Sequence, residues 1–280
     1  MNTSVETLRP YTRAIEISQS WLRIRAIARR HAYVLKRSPH RLFDVTLWPL
    51  VDVLLFGSLG VFVSREGGAG LTAFGYLLSG IILWHVVYQS QIALSTGLLE
   101  ETWSRNLLNL MVTPLTEIEY VLGVVLFGMV KVVIGVGIVA VTALGFYAFN
   151  ISDLGWDLVP IVGVLLVVGW AISLFVIGVV LRFGSGAEAL AWGIMFVVMP
   201  LSGVFYPTNA LPAVLRPIAI ALPTTHAFAA GRALLDHRGL EWGQLIIAIS
   251  SAAGLLVVAV GFVVAMLRLF RRRGYVTRYS

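Results

Sequence analysis

The sequence contains no cysteine, which excludes a disulfide framework, a thiolate metal site and a cysteine nucleophile. Charge is scarce. Only 12% of the 280 residues are Asp, Glu, Lys or Arg, whereas a soluble domain carries roughly 25%. No Gly-x-x-x-x-Gly-Lys-Ser/Thr pattern occurs, so the sequence carries no phosphate loop for ATP. The five histidines, His31, His40, His85, His226 and His237, lack metal-ligand spacing. No cleavable leader is expected, because residues 1–42 are polar and basic and lack a short apolar core followed by small residues.

What is abundant is apolar sequence: 58% of residues, with a mean hydropathy of +0.88. It falls in long runs, the pattern expected when lipid is the solvent. Six stretches predict an all-α polytopic membrane protein with six transmembrane helices: 43–63, 71–95, 120–149, 158–181, 189–206 and 245–267. A span needs about 20 apolar residues. The fifth stretch is the shortest, and the third is long enough to tilt or protrude.

Net charge is +7, but the basic residues sit at the ends of apolar runs, which argues against nucleic acid as a partner. Nine precede the first span: Arg9, Arg13, Arg23, Arg25, Arg29, Arg30, Lys36, Arg37 and Arg41. Five follow the last: Arg268, Arg271, Arg272, Arg273 and Arg278. With six spans Arg105 and Arg182 share that side, giving sixteen against four (Arg65, Arg216, Arg232 and Arg238). By the positive-inside rule both termini are expected in the cytoplasm.

The chain divides into a cytoplasmic segment 1–42, a six-span domain 43–267 and a basic cytoplasmic tail 268–280. In the first, Ile15, Ile17, Trp21, Leu22, Ile24, Ile27, Ala28 and Tyr33 interleave with Arg23, Arg25, Arg29 and Arg30. That pattern predicts a basic amphipathic helix at the membrane surface, with lipid as a partner.

The loop 97–119 between the second and third spans is also amphipathic. Leu107, Leu108, Leu110 and Met111 are apolar, and Glu100, Glu101, Arg105, Asn106 and Asn109 are polar. Pro114 stops a helix there. Thr116 and Glu119 have capping-box spacing, so the third span is expected to start at that point. A short helix between two breaks would be a rigid lever for a cytoplasmic partner, or equally a plain interfacial linker.

Beyond the fifth span, 207–235 is too apolar for a free loop and too broken for a span. Pro207, Pro212, Pro217 and Pro223 interrupt it. Backbone of this kind at membrane depth must pack on protein or line a cavity. It predicts short re-entrant helices on the outer side, forming an exit or a cap from Ser202, Gly203, Phe205, Tyr206, Pro207, Pro212, Pro223 and His226.

Asp52, His85 and Lys131 fall inside predicted spans, Asp52 about 13 Å and Lys131 about 16 Å from the cytoplasmic ends at 1.5 Å per residue. Intramembrane charges pair or line a polar cavity. An Asp52–Lys131 pair near His85 is therefore expected. Gly184-Ser185-Gly186 and His226 fall on opposite sides, so no serine–histidine site forms.

Three features together resemble the permease subunits of type-2 ABC transporters. Six spans follow a basic amphipathic segment. Residues 108–115, ending Val112-Thr113-Pro114-Leu115, are similar to that family's coupling region. The stretch Pro200-Leu201-Ser202-Gly203-Val204-Phe205-Tyr206-Pro207, with Leu211-Pro212, Leu222-Pro223-Thr224-Thr225-His226 and Arg232-Ala233-Leu234-Leu235, is similar to the signature after its fifth span. Where many members have Gly-Thr-Leu-Glu, this chain has Arg105-Asn106-Leu107-Leu108-Asn109.

The resemblance implies a bacterial inner-membrane exporter subunit, not itself an enzyme. It would pair with a second permease copy and two nucleotide-binding ATPase subunits, which hold the ATP and Mg; this chain holds no cofactor. The first, second and fifth spans of each half would line the path. Glu100, Glu101, Arg105, Asn106, Leu107, Leu108 and Met111 would meet the ATPase. The cargo would be amphipathic: a drug, a lipid or a lipid-linked glycan. The competing reading is a proton- or ion-coupled secondary carrier using Asp52, His85 and Lys131. Such carriers often show internal repeats, and none is seen here.

Overall fold

The computed structural model describes residues 9–66, 70–103, 113–184, 187 and 189–273. Among them the chain is helical, with no strand. The helices are α1 (Arg9–Arg37), α2 (Pro39–Glu66), α3 (Gly70–Trp103), α4 (Glu117–Tyr147), α5 (Leu158–Phe183), α6 (Ala189–Leu201), α7 (Arg216–Ala221), α8 (Pro223–Leu235) and α9 (Trp242–Arg273). Single 3₁₀ turns at Ile151–Leu154 and Thr208–Ala210 join α4 to α5 and α6 to α7.

The amphipathic segment does form one helix. Ile27, His31 and Leu35 face inward at helical spacing, and α1 lies against α4. It stops at Ser38 because Pro39 follows. The residue before a proline is driven out of the α region, and proline itself suits the first turn of the next helix.

Among the described residues, five helices are long and apolar enough to cross a membrane: Arg41–Arg65, Phe74–Gly97, Ile118–Tyr147, Leu158–Phe183 and Trp242–Met266. They match five of the six predicted stretches. The fifth stretch differs. Helix α6 has 13 residues, about 20 Å at 1.5 Å each, against a hydrocarbon core of about 30 Å. It ends because the chain turns at Ser202 and Gly203, where Gly203 has φ +61, a conformation that suits glycine. Helix α9 continues to Arg273, so residues 268–273 of the basic tail are helical.

Helix α3 is the centre of the bundle. The Phe74–Gly97 window is 89% buried, whereas those of α2, α4 and α9 are 28%, 33% and 17% buried. Helices α2, α4 and α5 pack around α3, and α9 packs on α5. The α3–α5 crossing is close because Gly169 lies against Val87 and Ser90, the small-residue contact that lets membrane helices approach. The outward faces of α2, α4 and α9 carry large apolar side chains such as Leu55, Val133 and Val257, as a lipid-facing surface requires.

Candidate functional site

Thr116 and Glu119 form the capping box their spacing predicts. The Glu119 N–H donates to Thr116 Oγ1 at 3.2 Å, and the Thr116 N–H donates to Glu119 Oε2 at 2.9 Å. This satisfies two orphan donors at the start of α4. The same carboxylate has a second task. Arg23 of α1 reaches it with a fork, Nε to Oε2 at 2.9 Å and Nη2 to Oε1 at 2.7 Å. Ser20 also donates to Glu119. The hydrogen bonds from Arg23 to the Glu119 carboxylate raise the Arg23 pKa above its ordinary value.

Two turns further along α1 the arrangement recurs on the other flank of the loop. Arg30 grips Glu101, near the end of α3, with Nη1 to Oε1 at 2.6 Å and Nη2 to Oε2 at 2.9 Å. The Glu101 side chain is 1% exposed, and that of Arg30 is 40% exposed. His31 Nε2 lies 4.0 Å from Glu101. Tyr120 donates to the Gly97 carbonyl at 3.0 Å, drawing the two flanks together directly. At Gly123 the α1 helix lies almost on α4, with Ile27 Cβ and the Ile24 carbonyl where a Cβ would stand.

The base of the loop is thus mounted on α1 at two points. Glu101, expected among the residues that meet a partner, is buried and faces Arg30. Glu100 lies in the last turn of α3. Arg105, Asn106, Leu107, Leu108 and Met111, expected on the coupling helix, lie outside the described residues. Arg23 and Arg30 were missed by sequence reasoning. The available signal was their spacing of seven on one helix, matched by one acid on each side of the loop.

Within the membrane-spanning region the structure brings Asp52 of α2 to His85 of α3, with Oδ2 and Nε2 3.2 Å apart. His85 is 1% exposed and the Asp52 side chain 25%. The ring is not aimed along a hydrogen bond, since neither of its nitrogens meets hydrogen-bond geometry among the described residues. Lys131 is half-buried on α4, a helix that packs on both α2 and α3.

The broken segment after α6 is tied together by its own motif. Ser202 Oγ donates to the Val198 carbonyl at 2.7 Å. The Thr224 hydroxyl must then be the donor in the 2.6 Å bond between Thr224 and Ser202. Arg232 Nη1 reaches the Gly203 carbonyl at 2.5 Å. Tyr206 donates to the Pro200 carbonyl at 2.9 Å, and Phe205 stacks on Phe56 of α2 at 4.2 Å.

Pro207 precedes a 3₁₀ turn, Pro212 lies in the bend after it, and Pro223 opens α8. His226 Nε2 donates to the Ile220 carbonyl at 2.9 Å, while Nδ1 lies 2.7 Å from the Gln244 side chain of α9. These contacts make a cap held by specific bonds. Thr224→Val keeps the shape and removes one buried donor, so a loss of about 1 kcal/mol is expected. Arg232→Met strips a charged donor and should cost more, about 1.5–3 kcal/mol. Thermal unfolding in detergent should rank the two in that order.

Five apolar helices of spanning length, with α3 buried at their centre, define a multi-pass membrane protein. Residues 23–235 match the ABC-2 type transporter family, and the chain belongs to that family. It is a permease subunit, a transmembrane component that lacks an ATP site and works with an ATP-binding subunit of an ABC transporter. The match begins at the first loop-mounting arginine and ends with α8. No curated protein matches the chain.

Proposed function

We propose that this permease belongs to an exporter that moves an amphipathic or lipid-like substrate, a drug, lipid or lipid-linked glycan, out of the cytoplasm or inner leaflet. ATP is hydrolysed on two separate nucleotide-binding subunits, with Mg, and a second permease copy completes the path. In this reading both termini are cytoplasmic in a bacterial inner membrane. Helix α6 with its terminal turn makes the fifth of six crossings, and α7 and α8 dip back from the outer face. The observation that carries the reading is the two-point mount of the loop base on α1. A loop fixed at both flanks can transmit a push from an ATPase into α3 and α4, where an untethered loop would yield.

The test is co-expression with a phosphate-loop ATPase and measurement of ATPase stimulation across a cargo panel in proteoliposomes. Cargo-stimulated, vanadate-sensitive export is expected. Transport sustained by a proton gradient with no ATPase would overturn the reading in favour of a secondary carrier.

An Asp52–Lys131 interaction beside His85 is part of the same proposal, holding α2, α3 and α4 in register. Asp52→Asn and, separately, Lys131→Met should each impair transport, because each leaves a polar group in the membrane with a weaker partner. Transport assays in which both single variants are silent would sink it.

A further inference from the structure

Between Ile17 and Phe43 there are seven Lys or Arg residues and no Asp or Glu. Arg23 and Arg30 are engaged with Glu119 and Glu101. Alongside that face of α1, Ala26, Arg29, Arg30, Tyr33, Val34, Arg37 and Ser38 line an open groove of about 620 Å³. Among the described residues no carboxylate lies within ion-pair distance of Arg29 or Arg37. Two guanidiniums, the Tyr33 ring and the Ser38 hydroxyl therefore border one concavity with no negative charge to balance it.

The depth of the groove follows from the next helix. The α2 span begins at Arg41, so Arg37 and Ser38 stand within about 4.5–6 Å of its edge at 1.5 Å per residue. That is headgroup level on whichever side of the membrane α1 lies. Leu22 and Tyr33 are also exposed at helical spacing along this side of α1, apolar bodies suited to the acyl boundary. Guanidinium forks fit phosphate oxygens.

We propose that this groove is a binding site for the phosphate headgroup of an anionic phospholipid, seated between Arg29 and Arg37. Arg30 lines the same groove and holds Glu101, so the bound headgroup lies one side chain from the loop mount. The proposal does not depend on the direction or cargo of transport.

The test uses the full chain in detergent with fluorescent phosphatidylglycerol, and fluorescent phosphatidylcholine as the zwitterionic comparison. The wild type should retain phosphatidylglycerol preferentially. Arg29→Gln with Arg37→Gln should weaken that retention about tenfold or more, while Arg25→Gln with Lys36→Gln, the same charge loss outside the groove, should change it little. Equal losses in the two double variants would overturn the site in favour of diffuse attraction. Full displacement of the lipid by millimolar inorganic phosphate would overturn the lipid as occupant and leave a free-anion site. An unchanged melting temperature in both double variants confirms that retention, and not folding, was measured.

Discussion

Gly169→Val is expected to abolish accumulation of the folded protein. A Cβ at Gly169 would stand 1.8 Å from Ser90 Oγ and 2.7 Å from the Val87 carbonyl oxygen. The serine cannot simply swing aside, because its hydroxyl donates to that same carbonyl at 2.9 Å. The carbonyl belongs to the backbone of the most buried helix. So α5 must move off α3, and α9, which packs on α5, must follow. Overpacking a core by a methyl or two costs about 1–3 kcal/mol where side chains can yield. Here backbone must yield, and the cost should sit at or above the top of that range. Gly163 lies on the same helix with nothing within 4 Å of its Cβ position. Gly163→Val is the matched control, and size-exclusion profiles of the two variants should separate a collapsed yield from a normal one.

Arg30→Met is expected to destabilise the protein more than Glu101→Gln, although the two changes break the same pair. The asymmetry comes from burial. Without Arg30, the carboxylate of Glu101 stays buried, with His31 4.0 Å away. Without the Glu101 charge, Arg30 is 40% exposed and can turn to water. Removing one partner of a buried pair costs about 3–5 kcal/mol, and the exposure of Arg30 reduces this to about 2–3 kcal/mol. Glu101→Gln keeps an acceptor for Arg30 and should cost about 1 kcal/mol.

The double variant Arg30→Met with Glu101→Leu replaces the pair by packing and should recover most of the stability. If the mount also transmits motion, that variant should be stable yet poorly stimulated by cargo in the ATPase assay. Full recovery of both properties would reduce the pair to a structural tie.

The spans were legible because lipid demands about 20 apolar residues in a row, and that demand is local in sequence. The capping box at Thr116 and Glu119 was legible for the same reason: its partners are three residues apart. The cap beyond α6 was readable as a broken, packed segment, but its bonds were not. Thr224 meets Ser202 across 22 residues, and Arg232 meets Gly203 across 29. The arginines of α1 were further out of reach. Arg23 and Arg30 find their acids 96 and 71 residues away, and a run of seven basic residues gives no local sign of which two are engaged. The fifth stretch was over-extended to Tyr206 because hydropathy does not register the turn that Gly203 makes. Asp52 was expected in a pair with Lys131 near His85; that Asp52 meets His85 directly depends on the helix rotation that α2 adopts against α3, which composition does not encode.

The spacing of Arg23 and Arg30 has a mechanical consequence. Seven residues of helix set a span of about 10.5 Å between the two grips, and the 17 residues between Glu101 and Glu119 must begin and end on that fixed base. A body pinned at one point wobbles when pushed. A body pinned at two points pivots about the line joining them. In the proposed exporter, helix α1 is an axle for the loop, and a push from the ATPase would become torque on the ends of α3 and α4 before it reached the membrane.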